Sequence, residues 1–276
     1  MQLQSHFTIA RSCDALDLAR SAFYYTSTAT EDADLRDAME NIALAYPRYG
    51  YRRMTAELRR RDWPVNHKRI LRLMREYHLL VEVKRYCRTT FSQHTYGRYP
   101  NLVKDLEIVR PDQVWAADVT YVRVAREFLY LAVLIDLFTR SIRGWELSRS
   151  LSESLTLCAL QGGLSVRQPE IHHSDQGVQY AATTYTHLLQ DRNIQISMAA
   201  RGAPTENAFA ERLMRTLKEE EVSLHEYRDY DDARSHIARF LDDVYMHKRL
   251  HSALGYVPPV EFEASYYRAQ SVALEG

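Results

Sequence analysis

The sequence predicts an α/β protein: a mixed sheet covered by helices on both faces, preceded by a small all-α region with a helix-turn-helix. Three observations predict this. From Val109 onward, β-branched and aromatic runs alternate with helical spacings in the order βββαβαβα. Before Val109, wherever the apolar spacing is periodic it is helical. Charge is also unevenly placed: the net charge is zero, yet residues 48–104 hold 15 Lys/Arg against four acids (Glu57, Asp62, Glu76, Glu82). A basic module beside an acidic one is the pattern of a protein with a nucleic-acid-binding part.

The 276 residues, 46% hydrophobic and 26% charged, suffice for one core plus a smaller domain. No run of 18 apolar residues occurs, and the N-terminus lacks a basic-then-apolar leader. The expectation is therefore a cytoplasmic protein with no membrane partner. Cys13, Cys87 and Cys158 are far apart, which suits reduced packing residues and not a disulfide framework or zinc module.

Residues 8–26 suggest two short helices broken near 14–17, either a small helix-turn-helix or a packing hairpin. Thr30 then offers an N-cap, with Glu31, Asp32 and Asp34 in the first turn, for a helix ending near Ala45. A second helix spans 49–61, the turn is Trp63, Pro64, Val65 and the N-cap Asn66, and a third helix spans 67–77. On this last helix Ile70, Leu71, Met74 and Tyr77 fall on one side, and Lys68, Arg69, Arg72 and Arg75 on the other. That is a helix-turn-helix with a basic recognition-type helix. Those four residues, with Arg52 and Arg53, are the candidate DNA contacts; a merely solvated face is the structural alternative. Residues 81–108 read as a basic linker, an exposed loop or a segment lying along DNA. The domains expected are 1–80 (helical, DNA-binding), 81–108 (linker), 109–222 (catalytic core) and 223–276 (C-terminal helical extension).

In the core, strands at 113–124, 128–136 and 141–147 have short connections and form an antiparallel meander. A helix over 153–165, a strand ending at Asp175, a helix over 183–192 and a strand over 194–198 follow. After a loop with Gly202 and Pro204 comes the helix carrying Glu211. One more helix spans 229–246, acidic at Asp231, Asp232, Asp242 and Asp243.

Three carboxylates stand out. Asp118 lies in mid-strand, where burial is costly unless a partner or a metal compensates it. Asp175 ends a strand before a glycine turn, and Glu211 sits on a helix 35 residues further on. One acid from a strand middle, one from a strand end and one from a helix can converge on a cation. Glu206, near the helix start, is the rival third acid; spacing favours Glu211.

The stretches WAADVTY (115–121), HSDQGVQY (173–180), ENA (206–208) through Glu211 to Lys218 and Glu219, and RLHSALGY (249–256) resemble those of DDE transposases of the retroviral-integrase type, specifically the insertion sequence 3 family. They extend over most of residues 110–262. The resemblance implies a ribonuclease-H-like core and catalytic, metal-binding roles for Asp118, Asp175 and Glu211, with Asp118 bridging two Mg²⁺ or Mn²⁺ ions. Two such ions ~3.5–4 Å apart clamp the attacking and leaving oxygens of an in-line displacement at phosphorus. It also implies a DNA-contacting Lys218, on the face of Glu211 two helical turns on. The substrates implied are double-stranded insertion-sequence ends and target DNA, handled by a homodimer or higher oligomer. Two departures stand out: Glu206 replaces the family's Asp, and Met246 stands where Asn usually follows Tyr245. The family's upstream helix-turn-helix and coiled-coil region is missing, so the chain is read as a catalytic portion, fused to or assisted by such a protein. A structure-specific nuclease and a non-catalytic DNA-binding regulator remain as alternatives.

Overall fold

A computed structural model of the chain describes residues 9–16, 18–20, 24, 32–81, 99–125, 127–200 and 207–275. The second helix expected within residues 8–26, most of the 81–108 linker, the loop with Gly202 and Pro204, and Glu206 lie outside the described residues. The chain divides into two compact units, Met1–Asn41 and Ile42–Gly276. The first contains α1 (Ile9–Ala15), where Cys13 is buried, and the start of α2 (Ala33–Ala45), which crosses the boundary.

The second unit opens with the helix-turn-helix, α3 (Tyr51–Arg60) and α4 (His67–Glu76). Asn66 caps α4 by accepting the Lys68 N–H at 2.8 Å, as the turn chemistry required. Ile70, Leu73 and Met74 of α4 are buried with Met54 and Leu58 of α3. Leu73, not Leu71, is thus the third core residue, because 70, 73, 74 and 77 form the i, i+3, i+4, i+7 stripe and Leu71 sits on its flank. Further along the chain, Leu250 N–H donates to the Tyr49 hydroxyl at 2.9 Å, and Arg60 donates two hydrogen bonds to Glu261.

The sheet is five-stranded, ordered β3-β2-β1-β4-β5, from β1 (Val114–Val124), β2 (Glu127–Asp136), β3 (Ile142–Ser148), β4 (Ile171–Ser174) and β5 (Gln195–Met198). β1, β2 and β3 pair antiparallel; β4 pairs parallel with β1, and β5 parallel with β4. Helices α5 (Glu153–Leu164), α6 (Val178–Ala181) and α7 (Thr183–Asp191) cover the face of Trp115, Ala117 and Leu134. On the face of Val114, Ala116 and Val122 lie α8 (Ala208–Leu217) and α9 (Tyr230–Ala238), each continued by wider i→i+5 turns, Lys218–Val222 and Arg239–Lys248. α10 (Pro259–Glu275) ends the fold; its Glu263 accepts from Ser141 and pairs with Arg143. Met246, the departure from the family pattern, packs on this core, and its sulfur accepts the Ile142 N–H at 3.1 Å.

α5 lies unusually close to β3. A Cβ on Gly144 would sit 2.3 Å from the Ala159 carbonyl oxygen, a backbone atom that cannot swing aside. Gly144→Ala should therefore push α5 off the sheet, costing about 2–3 kcal/mol. A urea midpoint that falls at unchanged m-value would register this, and an unchanged midpoint would contradict the packing.

Candidate active site

Strand alternation and register bring the acids together. On β1 the residues Val114, Ala116, Val122 and Val124 face the layer of α8, so the even-numbered Asp118 belongs to that face. β4 runs parallel beside β1 with Ala116 opposite His173. Carried on by two residues, this register sets Asp175 opposite Asp118 on neighbouring chains spaced about 4.8 Å apart. Asp175 is held past the strand end by an Asx turn: its Oδ1 accepts the Gly177 N–H at 2.9 Å, and a Cβ on Gly177 would crowd that same oxygen. Glu211 comes from the first turn of α8, whose Ala210, Leu213, Met214 and Leu217 pack onto the sheet.

The electrostatics record the convergence. The Asp118 carboxyl is pushed up to about 7, first by burial, then by the negative charge of Asp175 and, less, of Glu211. The Val119 N–H, donating to Asp118 Oδ1 at 2.8 Å, and the Lys218 ammonium oppose the shift. Lys218, the C-cap of α8, lies with its Nζ 4.4 Å from the ring centre of Tyr121, three residues along β1 from Asp118. The ligand atoms of the three acids do not all lie within 4.8 Å of one another. A pair of ions about 3.5–4 Å apart, each held by different carboxylates, does not require that they should.

Two further residues border the acids. Asn207, at the N-terminus of α8, donates from Nδ2 to the Ala117 carbonyl at 3.4 Å, tying the helix to β1 one residue before Asp118; its buried Oδ1 has no protein partner. Tyr180 is buried with an unpartnered hydroxyl, and the charges of Asp118 and Asp175 add to the burial that raises its pKa. Neither is singled out by the sequence reading, although both stand inside the quoted motifs. Three carboxylates supply the hard-oxygen donor set that a Mg²⁺-type cation takes. His172 and His173 are packing residues: His172 Nε2 meets the Tyr185 hydroxyl at 2.8 Å, and His173 Nδ1 meets Ser197 Oγ at 2.8 Å. Burial lowers His172 to about 3, so it is neutral.

Of the expected DNA contacts, Arg52, Lys68, Arg72 and Arg75 are exposed and Arg69 is half-covered. Arg53 is the correction. Its Nη1 donates to Glu220 Oε1 at 3.0 Å and its guanidinium lies against the Tyr49 ring, so, although partly exposed, it joins the helix-turn-helix to the chain beyond α8. Sequence shows a charge but not a partner 167 residues away.

Comparison with known proteins agrees with this geometry. Residues 109–204 and 192–259 match integrase core domain models, and residues 30–86 match an HTH-like domain. The chain is 33% identical to the insertion element IS600 uncharacterized 31 kDa protein of Shigella sonnei, over 93% of this chain and 98% of that one. It is 31% identical to transposase InsF for insertion sequence IS3A of Escherichia coli K12, over 94% of this chain and 95% of that one. The chain belongs to the insertion sequence 3 family of transposases. The transposase has the family's integrase-type core, that of DDE polynucleotidyl transferases. A chain of a simian T-cell lymphotropic virus intasome, solved in complex with PP2A regulatory subunit B56 gamma, aligns at 16% identity with a TM-score of 0.49, covering 82% of this chain and 74% of that one. The ribonuclease-H-like assignment stands on the strand order and the matched domains.

Proposed function

We propose that this transposase binds the terminal repeats of an insertion sequence, cleaves at their ends and joins the 3′-hydroxyls to target DNA. The observation that carries the reading is the parallel β1–β4 register that sets Asp118 beside Asp175, with Glu211 close enough for its charge to be felt at Asp118. Asp118, Asp175 and Glu211 would hold Mg²⁺ or Mn²⁺, two ions per site. Bound there, the ions supply activation of the attacking oxygen and charge neutralisation at the leaving one. The protein's own part is to fix the acids on a rigid strand pair and a packed helix. Asn207 fixes the start of that helix against β1, and the Lys218 ammonium draws a DNA phosphate to the face of Glu211. In each step one oxygen, from water or a DNA 3′-hydroxyl, forms a bond to phosphorus while the 3′-bridging oxygen departs. No protein–DNA covalent intermediate is required.

Arg52, Lys68, Arg69, Arg72 and Arg75 contact DNA phosphates from the helix-turn-helix, so binding weakens with salt. Two ends must be brought together, which calls for a homodimer or higher oligomer, fused to or assisted by an upstream helix-turn-helix protein. Among the described residues no helix is long and apolar enough to cross a membrane; the place of action is the bacterial cytoplasm, on nucleoid DNA. The test incubates the protein with labelled end-containing duplex, target plasmid and Mg²⁺. Joined donor–target product is expected. Cleavage without joining would instead make the protein a structure-specific nuclease, and binding without cleavage would make it a regulator.

A further inference from the structure

Beyond α8, the C-terminal layer gathers a second set of metal-ligating side chains: Glu221, His225 and His236. Among the described residues they are the one group of three or more His, Cys, Asp or Glu whose ligand atoms all lie within 4.8 Å of one another. Glu221 stands on the wide turn continuing α8, ten residues and roughly 15 Å of helical rise past Glu211. His225 follows in the next loop, and His236 lies in the last turn of α9.

The distances are those of ligands sharing an ion. Glu221 Oε1 lies 3.1 Å from His225 Nδ1 and 3.5 Å from His236 Nδ1, and the two imidazole centres are 4.7 Å apart. Around a tetrahedral Zn²⁺ with bonds of about 2.0–2.1 Å, neighbouring ligand atoms stand about 3.3 Å apart. Glu221 is only 3% exposed; its ion-pair partners among the described residues are these two imidazoles, and the Arg239 guanidinium acts on it more weakly. A buried carboxylate needs a compensating charge. An imidazolium at His225, donating to Glu221, would supply one: its Nδ1 also lies 3.0 Å from the Glu221 carbonyl oxygen. It would still leave His236 unexplained, because His236 Nδ1 is buried, aimed at the carboxylate and without a hydrogen-bond partner. An ion satisfies all three atoms. The Tyr227 hydroxyl, donating to Glu221 Oε1 at 3.2 Å, orients the carboxylate from outside.

We propose that Glu221, His225 Nδ1 and His236 Nδ1 bind one divalent transition-metal ion of the zinc class, with water completing the coordination. Two imidazoles and one carboxylate suit a borderline metal, whereas the three acids of the active site suit Mg²⁺. The ion is structural: it ties the rod bearing Glu211 and Lys218 to α9.

The test uses the full chain, stripped with chelator and held in excess Mg²⁺ so that the acidic site is occupied. Co²⁺ is added as a spectroscopic probe. One equivalent should give the visible absorption of a four-coordinate site, which an equivalent of Zn²⁺ abolishes. His225→Gln and His236→Gln should each lose the absorption, while Asp118→Asn keeps it. Both histidines are about one-third exposed, so their replacements should fold, which far-UV circular dichroism verifies. Zn²⁺ should raise the melting temperature of the parent protein and leave that of His236→Gln unmoved. The proposal is overturned if folded parent protein gives no such absorption. It is equally overturned if both histidine variants retain it, or if Asp118→Asn is the variant that loses it.

Discussion

Asp118→Asn is expected to abolish strand transfer, by on the order of 10³-fold or more, while making the metal-free protein more stable at neutral pH. Loss of activity follows from removing one of the carboxylates proposed to hold the metal, since metal stabilisation of the transition state is worth several kcal/mol. The gain in stability follows from the position of Asp118 in the fold. Its carboxyl titrates at about 7, against 3.8 ordinarily, because burial and then Asp175 disfavour the charged form. A folded-state pKa raised in this way gives stability that is fully present below about pH 4. That stability is lost as pH rises through about 7. The whole shift corresponds to an upper bound of about 4 kcal/mol. Asp118 is only partly covered, so screening by solvent reduces the realised effect to roughly 1–2 kcal/mol. Melting temperatures of parent and variant without metal should coincide below about pH 4, separate in favour of the variant between about pH 4 and 7, and keep that gap above it. Adding Mg²⁺ should reverse the order, because only the parent protein binds it tightly. If the two melting curves stay parallel across this range, the acids are not crowded as described.

The core strands were legible because β1 and β2 are long β-branched, aromatic and aliphatic runs, largely buried along their length, and the spacing of the acids located Asp118, Asp175 and Glu211. What one sequence could not show was the set of neighbours of a given side chain. Asn207 was not singled out in the sequence; the fold shows it at the N-cap of α8, reaching the Ala117 carbonyl on β1. Tyr180 is one of 19 tyrosines until α6 buries it against His172 and Tyr185. α10 escaped as an element of its own because it holds on by Glu263 and by Phe262 and Tyr266 packing at an angle against Phe138, not by a continuous apolar stripe. The wide turns at Lys218–Val222 and Arg239–Lys248 have no local signature; a π-type turn is imposed by packing. Arg53 shows the same limit, since its charge was visible and its acceptor was not.

That acceptor carries the second large effect: Glu220→Ala should destabilise the protein by about 3–5 kcal/mol. Arg249 is 4% exposed and grips Glu220 with two hydrogen bonds, Nε to Oε2 at 2.6 Å and Nη2 to Oε1 at 2.7 Å; Arg53 adds a third. Burial alone would raise the Glu220 pKa, but Arg249 and Arg53 outweigh it and hold the carboxyl below its ordinary value. The alanine variant leaves Arg249 buried without an anion and beside a second guanidinium, which is far worse than the loss of one contact. For a chain of this size the melting temperature should fall by roughly 6–20 °C. Two controls separate this from general fragility. Arg53→Ala removes a half-exposed partner and should cost about 1 kcal/mol, while Glu220→Leu combined with Arg249→Met removes both charges and should recover much of the loss. A double variant as unstable as Glu220→Ala would mean that the site requires the carboxylate for packing alone. Because the lock fastens α3 to the segment that extends the Glu211 helix, Glu220→Ala should also loosen the helix-turn-helix, seen as faster hydrogen exchange in α3 and α4 than in β1 and β2.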